Sequence, residues 1–423
     1  MTPLPELTAA LCILLILLVP FAAIGLAMIN TGLGRSRSAS HMMLSCLLVF
    51  ALAAIVYFAI GFAWQGYAGR PVHTFQIGGK PWNWIAAEPF FWRGLKLDAS
   101  PAALSALFGL MSVGLAAVIP LGSGGGRWRL VSSCASTALL AGFTYPLFAH
   151  WVWGGGWLAQ LGVNYGLGQG LIDAGGALPI QAVGGITALA ITWLLGPRSG
   201  KYTHDRVPLA LPGHNAVFVL MGCFFAWLGW IGLGGAGAIL YLGAEPGRCV
   251  LVAANLTLSA TAAILTAATV TNLRYGKPDA SVSANGWVGG LVAGSAGCAV
   301  LPPAAAMFVG IIAGGLVAFS VEWLELYLTI DDPGGSISVH LLSAIWGAFA
   351  VGLFGATPPG QWVAQVAGVA TLLGFIFPLT YGLNYLLDRY YPMRVRPDGE
   401  RQGMDLFELG AGAYPDFMRH NDD

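Results

Sequence analysis

Two short stretches decide how this chain reads: Asp173-Ala-Gly-Gly-Ala-Leu-Pro-Ile-Gln181 and Asp331-Asp332-Pro-Gly-Gly-Ser-Ile-Ser-Val-His340. Each opens on an acidic residue, passes through paired glycines and runs into a long apolar segment. In each, an Asp stands eight residues before a polar side chain, Asp173 before Gln181 and Asp332 before His340. An Asp just ahead of an apolar run reads as a helix N-cap. At 1.5 Å per residue, eight residues carry Gln181 and His340 about 12 Å past their caps, near the middle of a hydrocarbon core roughly 30 Å thick. An ionisable or polar side chain at that depth is costly and marks a functional position first, with interhelical hydrogen bonding as the plainer alternative for both residues.

Outward from these stretches the chain is almost continuously apolar. Residues AVILMFWYC make up 57% of the 423 residues and DEKR only 9%, far from the balance of a water-soluble chain. Eleven apolar runs are long enough to cross a membrane as helices: about 6–31, 42–66, 101–121, 131–149, 177–196, 214–233, 247–272, 284–300, 303–321, 337–354 and 363–387. The first lacks a basic leader and exceeds a signal-peptide core in length, so it is expected as a helix rather than a cleaved segment. The fold class is therefore an all-α polytopic membrane protein, with a transmembrane domain over 1–387 and a tail over 388–423.

Five helices separate the two Asp-led stretches, so they enter the membrane from opposite faces, as in an inverted repeat. Repeat one runs over about 6–196 and repeat two over about 214–354, leaving the run at 363–387 outside the symmetry. Basic residues give the sidedness. Arg35, Arg37, Arg127, Arg129, Arg198, Lys201, Arg206, Arg274, Lys277 and the basic residues of the tail, Arg419 included, fall on one side; Arg70, Lys80, Arg93, Lys96 and Arg248 fall on the other. The N-terminus is expected outside and the C-terminus inside, in the cell (inner) membrane.

The formal net charge is +0 and no basic patch suits nucleic acid. No phosphate-binding Gly-rich loop or HExxH is present, which removes support for ATP-driven pumping and metalloprotease chemistry. The six cysteines lie in or beside apolar runs without metal-ligand spacing, so no cofactor, metal or disulfide framework is expected. No nucleophile, base and carboxylate converge at one depth, which argues against an enzyme.

The motifs together carry a resemblance. Tyr145-Pro-Leu-Phe-Ala-His150-Trp-Val-Trp153, the stretch from Asp173 to Gln181, His214-Asn215 with Gly229-Trp230-Ile-Gly232, the stretch from Asp331 to His340, and Gly403-Met-Asp405 with Ala413-Tyr414 occur in the order of the ammonium transporter (Amt/Mep/Rh) family, which this chain resembles over nearly its whole length. The resemblance implies a homotrimer with a narrow pore in each protomer, ammonium or ammonia as substrate, and blockade by PII-type proteins on the inner face. It implies recruitment of ammonium at Trp153, with His150, Trp230, Asp173, Asp331 and Asp332 in supporting roles. A cation over an indole face gains about 0.5–2 kcal/mol, whereas an unpaired buried charge costs far more. The family resolves this by passing neutral ammonia along two hydrogen-bonded histidines.

Here the first histidine position falls on Gln181 by spacing, or on Ile180 by a gapped alignment on Ala-Gly-Gly; neither is His. The aromatic gate positions fall on Ser112 and Leu233, the vestibule hydroxyl on Gly237, and Leu409 and Ala411 replace more polar tail residues. The sequence thus points to ammonium transport through a widened entrance at Ser112 and Leu233 and a Gln181/His340 centre. A non-conducting sensor needing a partner for output, and a pore for carbon dioxide or methylamine, are the competing readings.

Overall fold

The computed structural model describes residues 3–414; positions 415–423, which include Arg419 and the end of the expected tail, lie outside the described residues. Among the described residues, ten helices are long and apolar enough to cross a membrane: α1 Glu6–Leu33, α2 Ser36–Gln65, α3 Pro101–Gly124, α4 Leu130–Val152, α5 Ala177–Leu195, α6 Ala216–Leu242, α7 Arg248–Tyr275, α9 Pro303–Leu328, α10 Ile337–Phe354 and α11 Gln361–Tyr390. Between α7 and α9 lies α8, Ala280–Ser295, whose 16 residues rise only about 24 Å. The chain is a multi-pass membrane protein.

Most expected runs coincide with these helices within a few residues; α2 starts six residues before the expected 42 and α9 runs seven beyond the expected 321, and two further differences have visible reasons. The run expected at 284–300 is helical over Ala280–Ser295 instead. Its start is set by Asp279, whose carboxylate accepts the Val282 N–H at 2.8 Å. Its end is set where the Ser295 and Ala296 carbonyls turn to accept the N–H groups of Gly175 and Ala174, each at 3.0 Å. The sixth helix continues to Leu242, nine residues beyond the expected end at 233. Its glycines look helix-breaking by propensity, yet each sits at a close approach: a Cβ at Gly229 would meet the Ala22 backbone and one at Gly235 the Leu15 side chain, both on α1, while one at Gly234 would meet Val252 of α7 and one at Gly237 the Ala174 carbonyl. Close backbone packing of small residues is the usual source of helix association in lipid.

The loop between α2 and α3 contains a two-stranded antiparallel hairpin, β1 Val72–Ile77 and β2 Lys80–Ala86. Its turn is Gly78-Gly79, both at positive φ, which matches a two-residue hairpin turn. The hairpin leans on the end of α4: Trp82 stacks on Trp157 at 4.8 Å, and Asn83 donates to the Gly155 carbonyl at 2.9 Å.

At the opposite end of the bundle the tail folds back on the helix ends. Asp405 accepts the His41 N–H at 2.7 Å and the Ser40 N–H at 3.3 Å, acting as a cap for the first turns of α2. Glu408 accepts the Leu130 N–H at the start of α4 at 2.9 Å and pairs with the His41 ring at 2.8 Å. Half-buried among helix ends, Glu408 is nevertheless held below its ordinary pKa, because the His41 hydrogen bond and the Leu130 N–H outweigh desolvation. Tyr414 reaches His214 at 3.1 Å.

Candidate functional site

The two Asp-led stretches build mirror-like helix starts. Asp173 accepts the N–H groups of Gly176 at 2.7 Å, Ala177 at 2.9 Å and Leu178 at 2.6 Å. Asp332 accepts those of Ser336 at 3.1 Å and Ile337 at 2.8 Å. Both helices then begin with a wide π-type turn, Ala177–Ala182 in α5 and Ile337–Leu342 in α10. Such turns are rare and occur often at functional positions. Before each sits a glycine in the left-handed region, Gly176 at φ 78° and Gly335 at φ 69°, a conformation that side chains rarely adopt. Each glycine stands five residues before the polar side chain, Gln181 or His340.

These starts bring Gln181 and His340 together. The two side chains are buried, and His340 Nδ1 meets Gln181 Oε1 at 2.8 Å. A carbonyl oxygen only accepts, so this bond places the imidazole proton on Nδ1 and leaves Nε2 as an acceptor. Gln181 Nε2 finds no hydrogen-bond partner among the described residues, so a buried amide donor remains available. Gly185, one turn after Gln181, lets the helices close, since a Cβ there would strike the Leu341 backbone. The pair thus offers one acceptor and one donor, a combination that suits a small molecule able to both give and take a hydrogen bond. Ile180, the alternative position, is buried beside Gly176 and brings no polar group.

Asp331 does not share in the capping. It forms a two-pronged pair with Arg198, Nε to Oδ2 at 2.9 Å and Nη2 to Oδ1 at 2.8 Å. Arg127 donates to the Asp331 carbonyl at 2.8 Å and to the Gly196 carbonyl at 2.7 Å. Burial raises the Asp331 pKa, but the Arg198 bonds and the Arg127 and Arg198 charges bring it down to about 2. Burial lowers Arg127 to about 10, with Asp331 pulling the other way. The cluster continues into the tail, where Glu400 bonds Ser199 N at 2.6 Å and Arg394 Nη2 at 2.9 Å. Asp331 therefore clasps the end of α5 and the α3–α4 loop to the start of α10, a supporting role at one mouth of the bundle.

At the other end, Trp153 terminates α4 and donates its indole N–H to the Asp173 carbonyl at 2.8 Å, so one residue both caps α5 and orients the indole. His150, three residues earlier, is buried, with Nδ1 donating to the Gln65 carbonyl at 2.7 Å. Its Nε2 has no partner among the described residues, nor does the indole N–H of buried Trp230. Ser112 and Leu233 are fully buried, and the Ser112 hydroxyl is also unpartnered. Gly237 packs against the Ala174 carbonyl so tightly that a Cβ would collide with it, leaving no room for a hydroxyl side chain.

The widened entrance expected from the missing aromatics is absent. Tyr241, one turn after Gly237 on α6, stacks on Trp153 with centroids 4.6 Å apart and planes at 5°. Phe108 stands edge-on to both, at 5.7 Å from each ring. Sequence reading missed Tyr241 and Phe108; the signal available was spacing, four residues from Gly237 and four from Ser112, which places each on the same helix face. Such an aromatic pair is worth about 0.5–1.5 kcal/mol, the same order as a cation on the indole.

Comparison with known proteins shows the family. The model of the Ammonium Transporter Family matches residues 10–414. Ammonium transporter Amt2 of Archaeoglobus fulgidus is 35% identical, over 95% of this chain and 86% of its own. Amt2 of Haloferax mediterranei is 30% identical, over 95% and 88%. Among solved structures, a sensor Amt protein superposes with a TM-score of 0.85 at 26% identity, covering 95% of this chain and 98% of that one. Candida albicans Mep2 shares the fold with a TM-score of 0.80 at 24% identity, over 97% and 90%. With the matched family model spanning nearly every described residue and the paired helix starts in the expected places, this chain belongs to the Ammonium Transporter Family.

Proposed function

We propose that the protein carries ammonium or ammonia across the membrane past the Gln181–His340 centre, one pore per protomer of a homotrimer. The observation that carries the mechanism is the 2.8 Å bond between His340 Nδ1 and Gln181 Oε1 where α5 and α10 meet. Trp153 draws the cation to the outer end, where the ion gives its proton to water before the apolar interior, since an unpaired charge there is prohibitively costly; the proton crosses separately by way of His340 and rejoins ammonia on the inner side, so one net charge moves per cycle. At the centre, His340 Nε2 accepts an N–H of the passing molecule and the Gln181 amide donates to its lone pair. Gln181 does not titrate, so proton exchange at this pair is confined to His340. Asp173 and Asp332 hold the two helix starts, Asp331 holds the inner clasp, and His150 and Trp230 shape the walls.

In this reading α8 completes eleven crossings, the N-terminus lies outside and the tail inside, and the two repeats cover about 6–196 and 214–354. The protein sits in the cell (inner) membrane, and the tail face is where a PII-type regulatory protein docks. Neither Ser112 nor Leu233 lines an open entrance, and Gly237 recruits only by letting α6 approach Ala174. An Amt-like fold also serves a protein named as a sensor, but the relatives at 30–35% identity carry the name of ammonium transporters, which favours conduction.

The test is an ammonium pulse over proteoliposomes on a solid-supported membrane. The expected result is a current in wild type that is absent from protein-free liposomes and strongly reduced in Trp153→Leu. A wild type indistinguishable from protein-free liposomes, with no ammonium-dependent change of internal pH, contradicts the proposal.

A further inference from the structure

We propose that Tyr241 is the outer gate of this pore and sets its affinity for cations. The inference rests on the transport reading above and names a residue outside the motifs that define the site. A cation recruited by Trp153 must lie against an indole face. Tyr241 lies flat on one face at 4.6 Å, a separation at which no ion fits between the rings. The indole cannot turn to present another aspect, because its N–H is tied to the Asp173 carbonyl at 2.8 Å.

Three further features make Tyr241 a movable cover rather than fixed packing. It is only half-buried, while Trp153 beneath it and Phe108 beside it are buried. Its outer side lines a groove of about 1000 Å³ whose wall also includes Glu245 and Arg248, so there is space on that side to receive the ring. Its hydroxyl makes a single side-chain hydrogen bond, to Ser105 Oγ at 3.0 Å, which acts as a catch holding the ring shut. The usual gate positions offer nothing in its place, since Ser112 is small and Leu233 is fully buried in the core. Ammonium entering from the groove exchanges one aromatic partner of Trp153 for itself, and the ring swings outward as it does so.

The experiment compares ammonium-pulse currents of wild type, Tyr241→Ala, Tyr241→Phe and Ser105→Ala in proteoliposomes, together with the ammonium-dependent shift of unfolding temperature in detergent. Freeing the indole face is expected to lower the ammonium concentration for half-maximal current roughly five- to tenfold in Tyr241→Ala. Tyr241→Phe and Ser105→Ala, which lose only the catch, are expected to show a smaller gain in the same direction. The gain must vanish when Trp153→Leu is added to Tyr241→Ala, a dependence that loosened packing alone does not produce. Conduction by wild type and Tyr241→Ala with equal half-maximal concentration overturns the gate while leaving transport standing. If no variant conducts, transport fails, and the gate is then judged by binding: a thermal shift by ammonium in Tyr241→Ala but not wild type upholds it, and no shift in either overturns it.

Discussion

Removing the Asp173 carboxylate tests whether the helix start, rather than Gln181 alone, creates the site. Its oxygens accept three backbone N–H groups at 2.6–2.9 Å, all buried and with no other acceptor. Orphaning a buried donor costs about 1–3 kcal/mol. Taking the lower half of that range, to allow for the charge that no longer needs burying, Asp173→Ala is expected to lose about 3–6 kcal/mol. With an unfolding entropy near 2.1 cal/mol/K per residue, 423 residues convert this to a drop of roughly 3–6 °C in apparent Tm. Asp173→Asn keeps one acceptor oxygen but turns an amide N–H toward a backbone donor, and is expected to lose about half as much. Tryptophan fluorescence on heating in detergent reads the shift, and ammonium-pulse current reads the site. Current must fall in the same order, Ala below Asn below wild type, because the Asp173 backbone also holds the Trp153 indole. An Asp173→Ala protein with wild-type Tm and wild-type current refutes the capping argument.

Further expectations concern the ends of the pore. Gly237→Ser does not restore a vestibule hydroxyl: the added Cβ meets the Ala174 carbonyl, so Tm falls and current drops, as measured in the same two assays. Asp331→Asn leaves Arg127 and Arg198 buried without their counter-ion and is expected to cost about 3–5 kcal/mol at pH 7 by denaturant or thermal unfolding. Because the Asp331 pKa is depressed from 3.8 to about 2, the carboxylate's contribution is complete above about pH 4. It is lost as pH falls toward 2, so the Tm difference between wild type and Asp331→Asn shrinks over that window. Glu408→Ala frees the tail from His41 and the start of α4, and limited proteolysis is expected to cut near Arg401 faster than in wild type.

Much of this fold was legible because lipid imposes simple rules. Apolar length located the helices, and the Asp-to-polar spacing found Gln181 and His340 without any knowledge of their neighbours. The spacing worked although both helices begin with a wide turn, since one extra residue in a turn moves a side chain by little more than one residue's rise. The end of α6 was set too early because the apolar run breaks up in glycines after Leu233, where Gly234, Gly235 and Gly237 stay helical by packing against Val252, Leu15 and the Ala174 carbonyl. The end of α8 was missed because hydropathy continues past Ser295, while the backbone turns to bond Ala174 and Gly175. The entrance was misjudged for a related reason. Loss of aromatics at Ser112 and Leu233 reads as added space, but space in a packed interior is filled, here by a ring supplied one helical turn along at Tyr241. The division of work between Asp331 and Asp332 was hidden because adjacent acids look equivalent until Arg127 and Arg198 are brought beside one of them.

Passage of substrate by the Gln181–His340 pair is read from the ammonium-pulse current of His340→Ala, Gln181→Leu and Gln181→His beside wild type, at equal protein density in the liposomes. Current is expected to be lost in His340→Ala, markedly reduced in Gln181→Leu, and retained or increased in Gln181→His, where the second imidazole adds proton exchange along the pair. Wild-type current in a folded His340→Ala protein would show that ammonium crosses elsewhere.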